Sequence, residues 1–373
     1  MKQILKDPET GREIWRMTHS GNHDVHTYYD INSWNPQGTR IAFSSIRPED
    51  VLDEKVAHTD KGMLCAMNAD GSERECLAEG TSFSVHVGCL PIWSRCGGKI
   101  YYLAGGHTCE IDLETRAIRR IEGLTGRALS PDGRFLACQY APESGRKGVV
   151  RVDLADLSRE EIVAADALTE IMLDTFNRAD RMPDMDEAML NSPVVANIKW
   201  SSDGQALILR LSYGSNGYMQ SLFVFRPDGT GLKRLCMATT AFGHHSWHPD
   251  GRHVLYCDRN EIGPGRLYYL ADREGLGRRA ISREHLGSHP LFNPAGTEII
   301  DFGGGAILHL NVDSGESQVV ASYTNNLHEG LHPHPSWSPD GTKVIYHSDH
   351  TGTSQIYVVP MAARRQRSNE SSK

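Results

Sequence analysis

One short pattern recurs seven times in this chain and limits what it can fold into. A large apolar anchor is followed by a Ser/Asn/His-Pro-Asp-Gly-like turn and then a hydrophobic segment. The copies are Trp34-Asn35-Pro36-Gln37-Gly38, Trp93-Ser94-Arg95-Cys96-Gly97, Leu129-Ser130-Pro131-Asp132-Gly133, Trp200-Ser201-Ser202-Asp203-Gly204, Trp247-His248-Pro249-Asp250-Gly251, Phe292-Asn293-Pro294-Ala295-Gly296 and Trp337-Ser338-Pro339-Asp340-Gly341. Five of the six tryptophans hold the anchor position. Proline presets φ in a tight turn, aspartate bonds its own backbone and glycine accepts positive φ, so each copy reads as a hairpin. Short β-rich segments follow, among them 40–44, 99–103, 253–257 and 343–347. A second hairpin often comes next, as at Asn68-Ala69-Asp70-Gly71 and Pro227-Asp228-Gly229. Two hairpins per repeat make a four-stranded blade, and seven repeats make an all-β, seven-bladed propeller.

The seventh repeat has too little chain after 356–360 for four strands. The segment 11–19, with Ile14, Trp15 and Met17, is expected to pair into blade seven and close the ring. A stretch rich in Leu, Met, Asp and Glu at about 167–190 reads as a short helical insertion before blade four, and the polar tail at about 363–373 as frayed. All 373 residues are expected to form one domain. A hydrophobic fraction of 39% supplies a core, while a net charge of −8 argues against nucleic acid as a partner. No apolar stretch resembles a signal or a membrane span, and the eight cysteines lack paired spacing. The expectation is a cytoplasmic protein with reduced thiols and no membrane partner; oligomeric state is not legible. The repeats themselves resemble those of TolB-like propellers, a likeness of fold that carries no chemistry.

Histidines supply the chemistry. Counting back three residues from the anchor gives His244, His289 and His334 in blades five, six and seven. The other blades carry Ile31, Leu90, Gly126 and Asn197 there, so the repeat does not demand histidine. Side chains alternate along a strand, which places His332 on the same side as His334, with Glu329 just ahead. Imidazoles with a carboxylate suit a borderline divalent ion such as Mn, Fe, Ni or Zn. The bland alternative is rings bonded to one another through water. His245, His248, His285 and His328 lie nearby but off register, and any of them could replace a member of the set.

The run His332-Pro333-His334-Pro335-Ser336-Trp337-Ser338-Pro339-Asp340, together with the upstream histidines, resembles the oligogalacturonate lyase family, polysaccharide lyase family 22, over nearly the whole chain. The resemblance implies a manganese ion held by His289, His332 and His334. It implies His244 as general base and a nearby arginine, for which Arg210 or Lys199 of blade four is the candidate. The family's fourth ligand is a glutamine three residues before the first histidine of the pair, where this chain has Glu329. The implied reaction is β-elimination on a short acidic oligosaccharide. Two other readings stay open: a metal-dependent hydrolase or isomerase using the same histidines with Glu329 as base, and a non-enzymatic propeller that binds a protein or peptide. No GxSxG nucleophile elbow occurs.

Overall fold

A computed structural model describes residues 1–51, 59–140, 148–164, 166–168, 170, 194–213, 219–238, 244–259, 266–282, 287, 289–327 and 331–361. Seven antiparallel sheets follow one another around a ring. Blade four is typical, with strands Val194–Trp200, Leu207–Tyr213, Met219–Phe225 and Lys233–Ala238 in sequence order from inside to outside.

The turns form as their residues dictate. Every repeat glycine is left-handed, from Gly38 at φ 68° to Gly341 at φ 70°, and each donates its amide to the carbonyl of the residue after the anchor, as Gly133 does to Ser130 at 2.9 Å. Four anchor tryptophans then stitch neighbouring blades. The indole Nε1 of Trp93, Trp200, Trp247 and Trp337 donates to the carbonyl of Ser33, Ala128, Lys199 and Leu291, in each case the residue before the previous blade's anchor. The repeated tryptophan is therefore a blade-to-blade fastener as well as core.

The core lies between the blades. Leu207, Leu209, Leu211, Phe223 and Phe225 pack with Ala137 and Val149 of blade three, while Ile208, Leu222 and Val224 pack with Val254 and Tyr256 of blade five. Alternation along each strand thus feeds two cores, one on each face of the sheet.

The N-terminal segment closes the ring as expected. Strand Glu13–Arg16 pairs with Gln355–Pro360 of blade seven, with Trp15 opposite Val358 and Arg16 opposite Tyr357. A further strand, Gln3–Lys6, pairs with Glu13–Arg16 and makes blade seven five-stranded. The insertion expected at 167–190 lies almost wholly outside the described residues, within which only a short helical stretch at 166–168 and 170 is seen; the tail at 363–373 lies outside them too. Among the described residues no helix is long and apolar enough to cross a membrane.

Candidate metal and active site

Four imidazoles surround one tyrosine at the channel, and a fifth stands beside them. The Tyr28 ring lies 4.8 Å from His334, 5.7 Å from His86, 5.8 Å from His244 and 5.9 Å from His289, centroid to centroid. His332 stands 5.6 Å from His334 and 5.7 Å from His289. His289 and His334 are 5.0 Å apart, and His244 stacks on His289 at 3.8 Å and 22°. The structure therefore gathers His244, His289, His332 and His334. Glu329 lies outside the described residues, as do the rivals His285 and His328.

The way these side chains meet differs from simple alternation. The inner strands of blades five to seven are only two or three residues long, His245–Trp247, Leu291–Phe292 and Ser336–Trp337, so His244, His289, His332 and His334 all precede them. His334 sits at φ +42°, and Leu90 and Asn197, at the same distance before their anchors, sit at +56° and +52°. In blade four the pairing slips between Ala196 and Lys199, and in blade three between Gly126 and Ala128. The position three before the anchor is thus a recurrent irregularity, where the chain leaves strand geometry at the channel.

A second layer holds the ligands' backbone. Asp301, fully buried, accepts the His289 amide at 2.9 and 3.1 Å and the Tyr268 hydroxyl. His26 sits under the His332-Pro333-His334 run. Its Nε2 meets the Pro333 carbonyl at 2.9 Å, and its Nδ1 meets Ser33 Oγ at 3.0 Å. Burial lowers its pKa to about 4 against the opposing effect of the backbone at Pro333 and His334, so it is neutral, with the hydrogen on Nε2.

Electrostatics favours neutral rings at His289, His332 and His334. Burial first, then neighbouring histidines, hold His289 and His334 well below the ordinary imidazole pKa. His334 is completely buried, and neither of its ring nitrogens has a hydrogen-bond partner; Nδ1 of His332 has none either. Ligand atoms of His86, His332 and His334 lie within 4.8 Å of one another. The unsatisfied nitrogens of His332 and His334 are what a borderline divalent ion requires, so the residues fit one. His86 was not foreseen: it precedes Leu90 by four residues, out of register with the repeat.

Beneath the histidines the axis is cationic. Lys199 pairs with Asp30 at 2.9 Å and donates to the Tyr29 hydroxyl at 2.5 Å, and burial lowers its pKa to about 8 despite Asp30. Nε of Arg210 and of Arg127 is buried without a hydrogen-bond partner, and both guanidiniums face Tyr28 electrostatically. The rival His245 points away from the cluster, its Nε2 against the Asn197 carbonyl at 3.1 Å. His248 is held in its own turn by Asp250 and by the Gly296 carbonyl. The opposite mouth, a cavity of about 560 Å³, is walled by Trp34, Trp93, Trp200 and Trp247, and none of the five clustered histidines lines it.

Against known proteins, the chain is similar over 97% of its length to an oligogalacturonate lyase in complex with manganese, with a TM-score of 0.74, 17% identity and 96% of that chain covered. An oligogalacturonate lyase from Vibrio parahaemolyticus gives a TM-score of 0.71 at 15% identity, with 96% of each chain covered. The fold is that of the oligogalacturonate lyases. A propeller domain of the Trilobed protease from Pyrococcus furiosus is more distant, at 0.55 and 11% identity, covering 91% of this chain and 96% of its own. In sequence, an uncharacterised protein of Agrobacterium fabrum is 27% identical over 170 residues, 43% of this chain and 53% of that protein, so the chain spans about half the length of the curated relative it matches. No family model matches.

Proposed function

We propose that this protein is a divalent-metal-dependent lyase that cleaves short uronate-containing oligosaccharides by β-elimination. The observation that carries the reading is the cluster of imidazoles around Tyr28, in which His289 and His334 are buried and held well below the ordinary imidazole pKa, on a propeller whose fold is shared with a manganese-bound oligogalacturonate lyase. His289, His332 and His334 would hold the ion, with Glu329 as a further candidate ligand and Mn²⁺ as the metal that the fold relative contains. A bound divalent cation supplies charge to neutralise a substrate carboxylate.

The chain's own residues account for the rest. His244, stacked on His289, is the base that takes the C5 proton of the uronate. The electron pair left at C5 forms the C4–C5 double bond as the C4–O bond breaks, and the departing oxygen takes up a proton. Of the two cationic candidates in blade four, Lys199 is already engaged by Asp30, which leaves Arg210 to meet substrate negative charge. The cysteines lack paired spacing, in keeping with the reducing cytoplasm proposed for the chain.

The test is a panel of oligogalacturonates and oligoglucuronates mixed with Mn²⁺-loaded protein, followed by absorbance near the ultraviolet edge. Elimination makes a conjugated double bond and a rise in absorbance. New reducing ends without that rise would replace the lyase with a hydrolase, and no product from any uronate would remove the enzymatic reading.

A further inference from the structure

We propose that His86, carried by blade two, is a protein ligand of the same divalent ion, so that the centre closes across the channel from blades two, six and seven. The inference rests on the metal-dependent reading above and assigns the site a ligand that register alone does not reveal.

The geometry is direct. His86 lies 4.5 Å from His334 and 4.9 Å from His332 between ring centroids, and its ligand atom belongs to the group in which all lie within 4.8 Å of one another. Two imidazole nitrogens on opposite sides of one ion stand about 4 Å apart at ordinary metal–nitrogen lengths. Small rotations of these side chains therefore bring all three donors onto a common ion.

The backbone under His86 is built to hold it there. The His86 amide donates to Ser84 Oγ at 3.1 Å, and Ser84 and Gly88 exchange backbone hydrogen bonds at 2.7 and 3.2 Å. The next residue, Cys89, donates its amide to Ser44 Oγ at 2.8 Å. Gly88 is at φ +61°, and a Cβ there would fall 2.1 Å from Ser44 Oγ, so only glycine lets the loop close on blade one. Leu90, at blade two's shared register position, is apolar and buried. Blade two thus delivers its imidazole from the preceding loop. A neutral fourth ligand also leaves the ion its full double charge toward an acidic substrate, which a carboxylate ligand would partly offset.

The experiment is calorimetric titration of the full chain with Mn²⁺, comparing wild type, His86→Ala, His86→Gln and His253→Ala. His253 belongs to the other group with metal-ligand spacing, His248, Asp250 and His253 in an exposed turn. His86→Ala is expected to weaken Mn²⁺ binding by more than the roughly 10- to 100-fold that loss of an outer partner costs, and His86→Gln, which keeps an oxygen donor, to recover part of it. His253→Ala should bind as wild type does. Should His86→Ala fail to fold, NMR of the Co²⁺-loaded wild-type chain decides: a hyperfine-shifted imidazole resonance from His86 supports the assignment, and its absence overturns it. Wild-type affinity in a folded His86→Ala protein, or binding lost in His253→Ala, also overturns it. A wild-type chain that takes up no Mn²⁺ removes both this ligand and the metal-dependent function. Uptake that depends on His86 without any unsaturated product removes the lyase reading alone.

Discussion

His26 and His334 are both buried imidazoles one layer apart, yet their surroundings assign them different work. His26 has a partner on each nitrogen, Ser33 Oγ and the Pro333 carbonyl, and so supports the backbone of the run above it. His334 has a partner on neither nitrogen, a condition that buried polar atoms rarely keep unless something else supplies it. His244 differs again: half-buried and stacked on His289, it borders the cluster. Replacing His244 with Ala is therefore expected to leave Mn²⁺ affinity near wild type while turnover on the best uronate falls by about 10²- to 10⁴-fold. Steady-state kinetics beside calorimetry measure the two effects separately. Loss of the ion together with activity would move His244 from base to ligand.

Among the elements, the N-terminal strands matter most because they join the first residues of the chain to its last blades. Asp7 follows strand Gln3–Lys6 and is 1% exposed. One carboxylate oxygen accepts the Ser322 amide at 2.7 Å and its hydroxyl at 2.8 Å, while the other accepts the amide and hydroxyl of Thr10, each at 2.8 Å. Burial alone would raise its pKa, but these hydrogen bonds outweigh burial and hold it below the ordinary aspartate value. A carboxyl depressed in this way stabilises the fold above its unfolded pKa, near 4, and the contribution is lost as pH falls through the folded value. Asp7→Asn turns an amide donor toward two donors of Ser322. It should cost about 1–3 kcal/mol at neutral pH. Thermal melts of both proteins should differ fully at pH 6–7 and converge as pH drops below about 4; a gap independent of pH would assign the loss to packing.

For the whole molecule, an ion gripped by separate blades binds the closed ring and not the unfolded chain. At a free Mn²⁺ concentration one hundred times its Kd, this linkage adds about 2.7 kcal/mol of stability, which is a rise of a few degrees in Tm. A chelator should reverse the rise. His334→Ala should melt near the metal-free wild type and gain nothing from added Mn²⁺, because a channel residue contributes little to the cores between blades. A full Mn²⁺-dependent rise in that variant would place the ion elsewhere.

Local chemistry made much of this legible from the residues alone. Proline, aspartate and glycine act within one turn, so seven turns and seven blades could be counted before any contact was known, and the alignment of repeats exposed His244, His289 and His334 as a set. The strand Gln3–Lys6 was not anticipated, because four residues at the chain's start become a strand only when Glu13–Arg16 is already in place beside them. His86 was equally hidden, since it reaches the axis from a loop that Gly88 and Ser44 fold inward, out of phase with every repeat. The pairing of Lys199 with Asp30, which leaves Arg210 available, joins blade four to the segment before the first anchor. Periodicity reports which side chains share a position within a blade. Which of them meet at the axis depends on where loops from distant blades end, and that is decided only when the ring closes.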